Sequence, residues 1–109
     1  MINRKKVNKM SQKSNFISVV EELMPTLEQY VPVVDRVHGA HHPEFHEVRA
    51  VFNTIHAKTK ETKTADLNEE FVQLRKITDN YVIPDDVCES YEAVYDMLRT
   101  LDTAYLTSK

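Results

Sequence analysis

Four of the five histidines, His38, His41, His42 and His46, fall within the single stretch DRVHGAHHPEFHEV. Neutral imidazole is the commonest protein ligand for zinc and iron, so a cluster this dense raises metal chemistry first. His42 and His46 stand four residues apart and share one face if a helix begins by His42. His38 lies just across the turn that Gly39 and Pro43 mark. His38, His42 and His46 are therefore the candidate metal ligands, for Zn²⁺ or Fe²⁺ with one position open. Glu44 and Glu47 are candidate fourth ligands or supports. The competing reading leaves these imidazoles in solvent or packed in the core, and spacing alone does not choose between the two. His42 precedes the proline at which a helix would start, which favours a capping or solvent role for it. His56 stands apart and reads as a surface residue.

Other chemistry is sparse. Cys88 is the single cysteine. It has no internal disulfide partner, which fits a reducing, cytoplasmic setting, and it reads as a packed structural thiol. Neither Cys88 nor Ser90 has a histidine near it in sequence, so no nucleophile, base and orienter stand out and the chain does not read as an enzyme. Tyr91, Tyr95 and Tyr105 form an aromatic stripe, expected in the core with hydroxyls at its rim. Asp85, Asp86 and Glu89 cluster where the positive end of a following helix already accounts for them.

The elements that must position these residues are helices. One glycine in 109 residues leaves little material for the turns of a sandwich or barrel. The length and the 41% apolar, 28% charged composition suit one globular domain. A first helix is expected from about Asn15 to Val37, with Phe16, Val20, Leu23, Leu27, Tyr30, Val34 and Val37 on its apolar stripe. Pro25 and Pro32 predict a kink or break in it. Gly39 offers the positive φ of a helix C-cap. A second stripe holds Phe45, Val48, Val51, Phe52 and Ile55 and fades into HAKTKETKT. Asp66 with Glu69 reads as a capping box opening a third helix, with Leu67, Phe71, Leu74, Ile77 and Tyr81 inward. Pro84 then breaks the chain, and Asp85 or Asp86 caps a fourth helix carrying Val87, Tyr91, Val94, Tyr95, Leu98, Leu101 and Tyr105. Joints fall near 38–43, 57–66 and 80–86. The expectation is all-α: an antiparallel up-down-up-down four-helix bundle over residues 15–109.

Charge narrows the partners. Arg4, Lys5, Lys6, Lys9 and Lys13 make residues 1–14 a basic arm, expected to be disordered, and Met10 offers a second start. The net charge is −3, so removing those five positive charges leaves −8 on the remainder. An acidic body disfavours nucleic acid. No apolar run approaches the roughly 20 residues that cross a bilayer, so no membrane partner is expected. A homodimer or a protein partner remains.

Two stretches carry a specific resemblance. VDRVHGAHHPEFHEV is similar to the V-x-x-V-H-G-x-x-H-P-E-L segment of the repair-of-iron-centres proteins. LRKITDNYVIPDDVCESYEAVYDMLRTLD resembles their L-R-x-x-T-N-N-Y-x-x-P-x-D-A-C-x-S/T-Y-x-A-x-Y segment. The resemblance covers roughly residues 16–107. It implies a hemerythrin-like four-helix bundle around a non-haem di-iron site, acting in repair of iron–sulfur clusters damaged by nitric oxide or oxidants. Carried over residue by residue, one family ligand is present, at His38. The family's earlier histidine falls on Ile17, its H-x-x-x-E pair near Thr62 and Asp66, and the histidine opening the third helix near Thr64. The closing histidine segment would begin near Ser108. The resemblance therefore implies a shortened homologue lacking most iron ligands, with no cofactor at full occupancy and at most weakly held Fe or Zn. The alternative is a metal-free interaction or self-association module.

Overall fold

The structure is a computed structural model and describes residues 15–62 and 64–108. The expected disordered arm, residues 1–14, lies outside the described residues. Among the described residues there are four α-helices and no strand: α1 (Asn15–His38), α2 (Glu44–Glu61), α3 (Asn68–Thr78) and α4 (Glu89–Thr107). No helix among them is long and apolar enough to cross a membrane.

α1 buries Phe16, Met24, Leu27, Val31 and Val34. Two expected stripe residues are corrected, because Tyr30 is 37% and Val37 58% exposed. From Leu27 the 3.6-residue turn reaches Val31 and Val34, which leaves Tyr30 and Val37 on the outer side. The expected break is absent, since α1 runs through Pro25 and Pro32. Each proline removes one helical hydrogen bond. Burial of the flanking Met24, Leu27, Val31 and Val34 holds the helix together across both.

The turn after α1 corrects the role of Gly39. Its φ is not positive. Its amide donates to the Asp35 carbonyl at 2.9 Å. A Cβ there would collide with that same carbonyl oxygen and stand 2.6 Å from Cε1 of His46. Glycine is needed for space, not for left-handed backbone.

α2 buries all five expected residues, Phe45, Val48, Val51, Phe52 and Ile55. It continues to Glu61 through the segment expected to fray. Lys58 helps hold that last turn, with Nζ donating to Glu70 Oε2 at 2.8 Å and to the Asp66 carbonyl at 3.3 Å. At the start of α3 the capping box is corrected. The N-cap is Leu67, and the Asp66 carboxylate accepts the Asn68 amide at 3.1 Å. The Leu67 amide donates instead to the Tyr105 hydroxyl at 2.9 Å.

α3 ends in a left-handed turn of three non-glycine residues, Asp79, Asn80 and Tyr81, with φ of 54°, 61° and 66°. The Asn80 amide returns to the Arg75 carbonyl and the Tyr81 amide to Thr78 Oγ1, both at 2.8 Å. The joint is longer than expected. α4 opens at Glu89 with Cys88 as N-cap, so neither Asp85 nor Asp86 caps it.

α1 packs chiefly against α4 and more lightly against α2, and α2 packs against α3. Ser108 Oγ accepts the Phe16 amide at one end of the α1–α4 pair, while His38 meets Cys88 at the other. Between α3 and α4 lies a buried polar knot. Asp102, 4% exposed, receives Arg75 through Nε at 2.8 Å and Nη2 at 2.7 Å, and the Tyr81 hydroxyl at 2.8 Å. Burial, and then the bond to Asp102, pushes the Tyr81 hydroxyl far above its usual ionisation range, so it remains a donor.

Candidate functional site

The histidine-rich turn sits over the start of α4. The helical register that buries Val31 and Val34 brings His38 to the inner side of the last turn of α1, half-buried. There its Nε2 lies 3.1 Å from Cys88 Sγ. Its ring meets the Tyr91 ring edge-on, with centroids 5.4 Å apart. Tyr91 is fully buried and is the floor of the site. It also contacts His42 at 5.5 Å, Phe45 at 5.1 Å and Tyr95 at 4.8 Å. The Tyr91 and Tyr95 hydroxyls bond each other at 2.9 Å inside the core instead of reaching its rim. Burial raises the Tyr91 hydroxyl well above its usual range, so it is a neutral partner.

His42 is held from both sides. Nδ1 is 3.0 Å from Glu44 Oε2 and Nε2 is 2.9 Å from Asp86 Oδ1, with 14% of the side chain exposed. A neutral imidazole has one N–H, so satisfying two carboxylates requires the doubly protonated cation. The Glu44 bond, and then Asp86, raise its pKa above 6.5, with burial opposing. The hydrogen bond with His42 in turn lowers Asp86. His42 thereby fastens the α1–α2 turn to the joint before α4.

His46 faces a different partner. Its Nδ1 lies 2.5 Å from Asp35 Oδ1, an ion-pair distance without the alignment of a hydrogen bond. Asp35 is buried, and its other oxygen receives Arg49 Nη1 at 3.1 Å. His41 is exposed on the turn. His56 is no bare surface residue. Its ring stacks on Phe52 and its Nε2 lies 2.8 Å from Glu28.

The three candidate ligands are thus committed to four different partners: His38 to Cys88, His42 to Glu44 and Asp86, and His46 to Asp35. Among the described residues no group of three or more histidine, cysteine or acidic side chains is arranged to hold a metal ion. The positions matched to the family's other ligands lie elsewhere. Thr62 and Thr64 are exposed and share a 3.2 Å hydroxyl contact. Ile17 is half-buried at the start of α1, and Ser108 bonds the Phe16 amide. These side chains do not fit a di-iron centre, which needs imidazoles and carboxylates from several helices converging inside the bundle.

Cys88 departs from its expected packed role. It is exposed, at the N-cap of α4. Its pairing with His38 crosses 50 residues and had no local signal. Asp35 and Asp102 had one. Asp35 follows Val31 by four, and Asp102 follows Leu98 by four, so each is an acid in an apolar register. No protein-family model, curated protein or solved structure matches the chain.

Proposed function

We propose that the chain is a repair-of-iron-centres-like protein: an up-down-up-down, hemerythrin-like four-helix bundle without an intact di-iron site. On this reading it works in the cytoplasm, in the response to nitrosative or oxidative damage of iron–sulfur clusters. One observation carries the reading. The two stretches that bear the resemblance are far apart in sequence, yet their motif residues touch: His38 with Cys88, His42 with Asp86, and both imidazoles with Tyr91. Contacts at the two ends of α1 and α4 support the up-down course. Loss of the di-iron site follows from ligand supply, since His38 is the one matched imidazole and Cys88 already engages it.

The test is metal analysis of protein purified without a histidine tag. Well under two irons per chain and no oxo-bridged di-iron absorption are expected. Two tightly held irons, or unfolding on chelation, would overturn the proposal. The link to repair has its own readout. Added protein is expected to speed recovery of an iron–sulfur enzyme inactivated with nitric oxide, and unchanged recovery removes that link.

A second reading, a metal-free interaction or self-association module, is favoured by the outward stripe Tyr30, Val33 and Val37 on α1, from 37% to 58% exposed. Sedimentation over a range of concentrations separates a homodimer from a monomer.

A further inference from the structure

Cys88 and His38 form a pair whose chemistry the bundle scaffold does not use. Sγ lies 3.1 Å from Nε2. Cys88 is exposed, its backbone is extended at φ −86° and ψ 174°, and its side chain makes no cap hydrogen bond. The His38 ring is fixed edge-on, at 86°, against fully buried Tyr91. A nucleophile open to solvent, a base within reach and a group that orients the base are the parts of an activated thiol. We propose that Cys88 and His38 form a thiol-exchange site for low-molecular-weight disulfides, with a preference for cationic ones.

The step balances with these two side chains. His38 Nε2 takes the thiol proton, and the Cys88 thiolate attacks one sulfur of the disulfide. The S–S bond breaks as the mixed disulfide forms, and the departing thiolate takes the proton back from His38. The small disulfide is the oxidant; one free thiol leaves for each Cys88 modified. The charge preference comes from the surroundings. Asp85, Asp86 and Glu89 flank Cys88 and are exposed, and Glu44 reaches the same turn through His42. His42 offsets part of this charge, and the remainder is negative.

The test uses the full chain with cystamine and, separately, glutathione disulfide, following the mixed disulfide by mass spectrometry at neutral pH. Native Cys88 is expected to react with cystamine at least about tenfold faster than the same thiol in urea-unfolded chain, a modest effect for a positioned base. His38→Gln should remove most of that advantage, and Cys88→Ser should give no adduct. Cystamine should outpace glutathione disulfide on the native chain, by a margin that shrinks on unfolding. A native rate at or below the unfolded rate overturns the proposal, as does a folded His38→Gln that reacts like the parent. Equal rates for the two disulfides overturn the charge preference. If His38→Gln fails to fold, the native-to-unfolded ratio of the unaltered chain still decides.

Discussion

His42 is the residue whose charge the surrounding structure most constrains. Its folded pKa is raised above 6.5, by Glu44 first and then Asp86. Stability from a raised imidazole is fully present below the unfolded value and is lost as pH rises through the folded one. Asp86 is lowered from 3.8, chiefly by the His42 bond, so its contribution holds above that value and fades as pH falls through the lowered one. The bridge is whole on the mildly acidic side of neutrality. The melting temperature is expected to fall as pH rises above about 6.5, and His42→Gln should flatten that fall. Identical profiles for the two proteins would remove the charged bridge. At this scale the sequence was a partial guide. It marks His38, His42 and His46 as candidate metal ligands, whereas the side chains they engage across the fold, Cys88, Asp86 and Asp35, are set by tertiary packing and carry no local signal for that pairing. Gly39 was singled out for its backbone, whereas its hydrogen atom leaves room for His46 and the Asp35 carbonyl.

Elements were far more legible, because apolar periodicity is a local signal that burial then enforces. The stripes of α2 and α4 are buried residue for residue from Phe45 to Ile55 and from Tyr91 to Tyr105. Phe52 is 2% and Leu98 0% exposed. Replacing either with alanine is expected to cost about 2–5 kcal/mol in urea unfolding, the range for large-to-small core changes. A cost below about 0.5 kcal/mol, typical of surface changes, would contradict their place in the core. The ends of elements were less legible. Asp66, Asp85 and Asp86 are sound N-cap residues by type, yet Leu67 and Cys88 hold those positions. At Leu67 the distant Tyr105 supplies the amide's partner, and Asp86 is engaged by His42. Cap preference is overridden where a tertiary contact competes for the same group.

For the whole molecule, the Arg75–Asp102–Tyr81 knot joins α3, the left-handed turn and α4. Its three hydrogen bonds satisfy a carboxylate that is otherwise costly to bury. Asp102→Asn keeps the size but loses the charge that both Arg75 and Tyr81 address. The expected loss is about 3 kcal/mol, the low end for breaking a buried pair, because Arg75 keeps part of its side chain in water. Chemical denaturation reads this directly, and a loss under about 1 kcal/mol, that of a surface pair, would demote the knot to one. Tyr81→Phe made together with Asp102→Asn should cost less than the two single losses added, since the two groups share one bond.

The hydroxyl of Tyr105 carries a consequence for the ends of α3. α3 has 11 residues, too few to persist alone in water. The amide of its N-cap residue, Leu67, donates to the Tyr105 hydroxyl, and its closing turn is pinned through Tyr81 and Arg75 to Asp102. Both anchors belong to α4. α3 packs along α2, but side chains of α4 tie both of its ends, so weakening α4 is expected to fray α3 at Leu67 and at the Asp79–Tyr81 turn, read as faster amide exchange there.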